Sequence, residues 1–337
     1  ARGTTSNYAA LSKIKRSPQQ LLMGPWTHGG WGESYSGDIE FGSDSVLDDY
    51  DGYRLRWFDR WLKGIRNAVD RERPVRVFVM GGGDSRKDTN GRLRHLGVWR
   101  EATDWPLPDT HYTPYYLHGD GALRRDAPAA SRPTRYTFDP RDPVPTIGGG
   151  LSAGGDVLPA GGYDQRGDPR FYGCADSLPL SARNDVLVFQ TEPLEKAVEV
   201  TGPLEVKLWA SSSAPDTDFT VKLIDVHPPN SDYPDGFAQN LSDSIIRARY
   251  RNSPDRAEPL EPGEVCRFDI VMYPTSNLFA KGHRIRLDVS SSNFPRFDLN
   301  PNTGGPLGRD RRIVVAENAI YHDPDHPSHI ALPIAPI

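Results

Sequence analysis

Val198-Glu199-Val200-Thr201-Gly202-Pro203-Leu204-Glu205-Val206-Lys207-Leu208-Trp209 is the stretch on which the fold turns. Apolar and polar residues alternate along most of it, the period-two signature of a strand with one buried face. The same texture recurs downstream at Phe219 to Val226, Ser244 to Tyr250, Val265 to Met272 and His283 to Ser290, and upstream at Val186 to Gln190 and Tyr112 to Leu117. Each run is bounded by Pro, Gly, Asp or Asn, residues that end strands rather than continue them. Helical periodicity is missing beyond about residue 98. Short, regularly spaced strands with turn signals between them predict a β-sandwich or jelly roll of roughly 230 residues. Asp139 to Asp168, rich in Gly and Pro and poor in large apolar residues, is too polar for a core and reads as a long loop, which at such length is functional or mobile.

The first part of the chain reads differently. Gln19 to Met23 is a short apolar run ended by Gly24-Pro25, a buried strand feeding the loop Trp26-Thr27-His28-Gly29-Gly30. From Ser45 to Lys63 apolar residues recur at threes and fours, with Ser45 as N-cap and Gly64 as stop, which predicts the one long helix. Pro74 to Met80 alternates and breaks at Gly81-Gly82-Gly83, a further strand. The expected organisation is an α/β-type segment over residues 1–97 followed by an all-β domain over 98–337.

Composition narrows the function. The 337 residues carry 40 Lys+Arg against 45 Asp+Glu, a net charge of −5, and the length suggests about two domains. With 32 Gly and 31 Pro the chain is not all-helical. Mixed charge without a basic stripe argues against nucleic acid as a partner, and no apolar run reaches the roughly 18 residues of a membrane span. Ala1 to Ser6 has no apolar signal-peptide core. Cys174 and Cys266 are far apart with no ligand-spaced neighbour, so they read as ordinary thiols, and a bacterial cytoplasm is the default compartment. His322-Asp323-Pro324-Asp325-His326-Pro327-Ser328-His329 looks superficially metal-like, but its prolines forbid a helix that would align the imidazoles, leaving a surface loop before a final strand. No metal and no cofactor are expected.

Nucleophilic acyl transfer needs an activated hydroxyl or thiol, a base and a group that orients the base. His28, on a loop after a buried strand and flanked by small or polar residues, is the candidate base. Gly32-Glu33-Ser34-Tyr35-Ser36-Gly37 imitates a nucleophile elbow, but neither a hydrophobic strand precedes Ser34 nor a helix follows it, so Ser34 reads as a decoy. Ser211-Ser212-Ser213 and Ser290-Ser291-Ser292 read as polar strand ends.

Beyond these local readings, the whole chain resembles the C-terminal part of the cocaine-esterase-like (CocE/NonD) serine hydrolases, relatives of Xaa-Pro dipeptidyl-peptidases and α-amino-acid ester hydrolases. The resemblance runs through Gly24-Pro25-Trp26-Thr27-His28, Glu101 to Pro108, Asp139 to Pro145, Val200-Thr201-Gly202-Pro203, Asp216 to Leu223 and Ser290 to Pro295. It implies the remainder of an α/β-hydrolase domain followed by a jelly-roll (galactose-binding-like) β-sandwich, with His28 at the triad-histidine position. It also implies that a loop at roughly Ile147 to Tyr163 leans toward the active site, with Leu151 and Ser152 as candidate substrate-binding residues. The family's nucleophile, oxyanion hole and cap lie far N-terminal of the histidine, and its triad Asp a little under thirty residues before it, so they fall outside this sequence. The implied reaction is hydrolysis of a small-molecule ester or amide through an acyl-enzyme, with the missing N-terminal part of the same enzyme as partner and homo-oligomerisation left open. The alternatives are a non-catalytic jelly-roll binding or assembly module and an inactive truncated fragment. Without a covering partner, residues 1 to about 95 should expose apolar area.

Overall fold

The computed structural model describes residues 2–150 and 157–337. Leu151 and Ser152 lie outside the described residues. The alternating runs build two sheets facing each other across one core, to which Phe219, Val221, Leu223 and Leu287 contribute from one side and Val200, Val206, Leu208, Phe268 and Ile330 from the other.

The smaller sheet is antiparallel, in the order Leu187–Gln190, Arg284–Ser290, Asp218–His227, Phe237–Arg247. In Asp218–His227 the apolar residues Phe219, Val221 and Leu223 enter the core, while Thr220 and Lys222 on the opposite face are buried as well. Unpartnered polar groups there would cost several kcal/mol, and chain from the 139–185 region supplies partners. Lys222 Nζ donates to Gln165 Oε1 at 3.2 Å, and Gln165 Nε2 donates to Ile147 O at 3.0 Å. The expectation that residues 139–168 contribute no core is thereby corrected. Val144, Ile147 and Tyr163 pack with Phe171, Leu180 and Val186 in a cluster of their own. A segment lying flat on a sheet needs only scattered apolar anchors, and scattered anchors leave no periodic signal.

Among the described residues the larger sheet has twelve strands. The run Val198 to Trp209 is two strands, Val198–Gly202 and Glu205–Ser212, because Pro203 has no N–H for the ladder. Both pair with the same final strand, His329–Ala335, at Val200↔Ile334 and Val206↔Ile330. The strand expected over Ser244 to Tyr250 is Phe237–Arg247, and Ala248–Tyr250 is a 3-10 turn. Thr134–Phe138, Thr275–Phe279 and Ala316–Tyr321 are further strands that alternation did not mark.

In the first segment Leu21–Met23 runs parallel to Val75–Met80, which pairs on its other side with Gly97–Ala102 and meets Thr275–Phe279 at Met80↔Asn277. The first segment is thus hydrogen-bonded into the larger sheet, and the boundary expected after residue 97 falls inside the strand that returns onto Val75–Met80. The long helix is Tyr50–Leu62, shorter than Ser45 to Lys63. Asp49 caps it, its Oδ1 accepting from Gly52 N–H at 2.8 Å, whereas Ser45 sits in a preceding 3-10 turn. A carboxylate cap also gains from the helix dipole, which a serine does not. A second helix, Arg2–Leu11, was not anticipated, since its sequence lacks an apolar stripe. Tyr50–Leu62 has no buried residue and exposes Leu55 and Phe58, with Leu62 at 77%. Its apolar periodicity therefore marks a face left uncovered among the described residues.

Candidate active-site cleft

The strand Leu21–Met23 delivers the chain into the loop that carries His28. Trp26 anchors this loop, its Nε1–H donating to Ser45 O at 2.8 Å and its ring tilted against Trp99 at 5.8 Å between centroids. Gly30 N–H then donates to Thr27 O at 3.0 Å, closing a tight turn with Gly29 at φ 86°, a conformation glycine adopts without strain. His28, at the turn's apex, is exposed. Among the described residues its imidazole has no hydrogen-bond partner. The loop is thus held by its backbone while the His28 ring is left open to solvent.

His28 borders a cleft of about 310 Å³ whose other walls are Trp26, Thr27, Gly149 and Gly150 and, from the sandwich, Asn240, Ser242, Asp243, Tyr273 and Arg296. Arg296 is almost fully buried; its Nη1 lies 2.9 Å from Asp243 Oδ1, and its guanidinium stacks over Tyr273 and Phe297 at 5.3 and 5.4 Å. Asn293 Nδ2 holds the other Asp243 oxygen at 2.9 Å, and Thr146 Oγ1 accepts from the Arg296 N–H at 3.2 Å. Gly149, at φ 115°, lies so close above this pair that a Cβ would come within 2.6 Å of Arg296 Nη1. These contacts fix the base of the segment that leads from Gly150 toward residue 151. The sequence reading missed Arg296 and Asp243, although Arg296 directly follows Asn293-Phe294-Pro295; nothing local links it to Asp243.

The other candidates do not gather at His28. Ser34, in the bend just before the short strand Tyr35–Ser36, spends its hydroxyl on Glu40 Oε2 at 3.1 Å, in the paired strand Ile39–Glu40. Ser290, Ser291 and Ser292 are buried at the end of Arg284–Ser290, bonded to Asp185 O, to Tyr136 and Asn318, and to Val144 N–H. Cys174 and Cys266 are free, and burial pushes both thiols up, away from a reactive thiolate. The three histidines between 322 and 329 diverge. His322 bonds Ser131 and Thr134, His326 bonds Asp323, and His329 bonds Pro327 O.

A β-rich chain with two facing sheets and a cleft at their margin is a β-sandwich protein, and sequence comparison specifies which. Residues 67–331 match the X-Pro dipeptidyl-peptidase C-terminal non-catalytic domain, and the chain belongs to that family. It is 40% identical over 328 residues to cocaine esterase of Rhodococcus sp. (strain MB1 Bresler), covering 94% of this chain and 51% of that protein. Solved structures similar to it include an aminopeptidase from a marine sediment Thaumarchaeota archaeon and an α-amino acid ester hydrolase. Both are 28% identical with a TM-score of 0.78, covering 98% and 97% of this chain and 51% and 52% of theirs. The chain spans about half the length of the curated relatives it matches.

Proposed function

We propose that this chain is the histidine-bearing part of a serine hydrolase that cleaves esters or amides through an acyl-enzyme, with His28 as the general base. The supporting observation is the placement of His28: exposed on an anchored turn after a parallel strand, at the wall of a cleft, with no partner for its ring. Ligands of α/β sheets bind beyond the carboxyl ends of the strands, which is where this loop lies. In this reading Leu21–Met23, Val75–Met80 and Tyr50–Leu62 are the remainder of an α/β-hydrolase domain, and the two sheets beyond are a jelly roll.

The nucleophilic serine, the orienting aspartate and the oxyanion donors then come from polypeptide outside these 337 residues. His28 accepts the serine proton as the acyl carbon is attacked and returns it to the leaving group; a water deprotonated by His28 completes turnover. The exposed apolar face of Tyr50–Leu62 and the edge of Leu21–Met23 left unpaired among the described residues support a covering partner of this kind. Leu151 and Ser152 remain proposed substrate contacts, on the strength of Gly150 lining the cleft.

A fluorophosphonate ester probe with intact-mass analysis of every polypeptide in the sample tests the reading. An adduct on a longer or separate polypeptide, abolished by His28→Ala there, supports it; an adduct on a serine of this chain sinks it. The domain match begins at residue 67, after His28, and is described as non-catalytic, which favours a second role for the sandwich itself, that of a packing module. A complete enzyme whose activity survives His28→Ala would leave only that role.

A further inference from the structure

Asp225, on the strand Asp218–His227, is fully buried, and among the described residues it forms no ion pair with arginine or lysine. Three histidines surround it instead. His283 Nδ1 lies 2.8 Å from Oδ1 and His227 Nε2 lies 3.9 Å from Oδ2. His95 arrives from the first segment, its Nε2 2.7 Å from Asn277 Oδ1, while Asn277 Nδ2 donates to Asp225 Oδ2 at 3.1 Å. One ligand atom from each of His95, Asp225 and His227 falls within 4.8 Å of the others.

His227 Nε2 also lies 3.2 Å from Gln239 Oε1, so the His95 and His227 ring nitrogens facing these amide oxygens carry protons that a bound cation would displace. A carboxylate fully buried, with no arginine or lysine paired to it among the described residues, is costly to leave without a cation.

We propose that His95, Asp225 and His227 form a structural site for a first-row divalent cation, best matched by zinc, with the Asn277 side-chain oxygen in reach as a fourth donor. Two imidazoles and a carboxylate are a donor set suited to zinc. Zinc bonds of about 2.0 Å require tetrahedral donors about 3.3 Å apart, so the cluster closes on the ion by a shift of about an ångström. The surrounding groups are those that orient metal ligands: Ser85 Oγ lies 2.7 Å from His227 Nδ1, and His283 holds the second oxygen of Asp225. All three ligands are buried, so the ion would be enclosed and structural rather than catalytic, and none of them lines the cleft at His28. The ion would tie residue 95 of the first segment to the sandwich, independently of the proposed hydrolase chemistry.

The test uses the whole chain, purified without chelators and also refolded from guanidinium with and without zinc, because an enclosed site fills most readily during folding. Mass-spectrometric metal analysis should find near-stoichiometric zinc, and zinc should raise the melting temperature of the refolded protein. Cobalt in place of zinc should give the visible absorption of a tetrahedral ion. His95→Gln and His227→Gln should lower bound metal at least tenfold, and His322→Gln should not. A chain that folds, holds neither zinc nor cobalt stoichiometrically after either route, and melts at the same temperature with and without metal overturns the proposal. That outcome would mean that a proton on one imidazole balances Asp225. If the variants fail to fold, the metal content of the unaltered chain decides.

Discussion

Arg296 Nη1 lies 2.9 Å from Asp243 Oδ1, and this buried ion pair forms the wall of the cleft across from His28. It joins the strand Phe237–Arg247 to the segment after Arg284–Ser290, and through Thr146 and Gly149 it carries the chain that reaches the cleft.

Removing one member of such a pair strands the other charge. Arg296→Met and Asp243→Leu should each lower unfolding free energy by about 3–5 kcal/mol, and the double variant by less than their sum. Urea melts of the three variants measure this; strict additivity would show that the two side chains do not act as a unit.

Gly149→Ala combines a left-handed φ with a methyl group aimed at Arg296 Nη1. The expected loss exceeds about 1 kcal/mol by urea melt. Gly150→Ala, next to it but with no described residue within 4 Å of its Cβ position, should cost less and serves as the control.

His322 supplies a pH dependence. Burial lowers its pKa below 6.5. Ser131 donates to His322 O at 3.0 Å, so His322 Nδ1–H donates to Ser131 Oγ and Thr134 donates to Nε2, a set that suits the neutral ring. The unfolded chain therefore binds this proton at higher pH than the folded one. The stabilisation is complete above about 6.5 and is lost as pH falls below it. NMR titration should place the His322 pKa below the free value, and His322→Gln should flatten the fall in stability between pH 6.5 and 5.

The outer face of Tyr50–Leu62 should tolerate charge in the isolated chain. Leu55→Glu and Leu62→Lys are expected to change stability by no more than about 0.5 kcal/mol while reducing self-association measured by light scattering. A large loss of stability would mean that this face is already covered.

Several elements were legible in the sequence because their causes are local. Alternation marked Asp218–His227 and Arg284–Ser290, and threes-and-fours spacing marked Tyr50–Leu62, although Asp49 rather than Ser45 begins it. Val198 to Trp209 misled only at Pro203, where an unbroken polar–apolar rhythm concealed a missing ladder donor. His28 was visible from the strand-then-loop pattern around it, and the comparisons confirm the family that its neighbourhood resembles.

By itself, then, the sequence determined the β-rich character of the chain and its candidate base, since side-chain periodicity and turn chemistry act over a few residues, while its family showed in the resemblance of motifs such as Gly24 to His28. Only the tertiary structure decided that Arg296 meets Asp243 beside the cleft, that Lys222 is buried against Gln165, and that His95 meets Asp225 and His227. Those encounters join residues tens to more than a hundred positions apart. They depend on strand order, register and loop closure, which a local pattern of polar and apolar side chains does not encode.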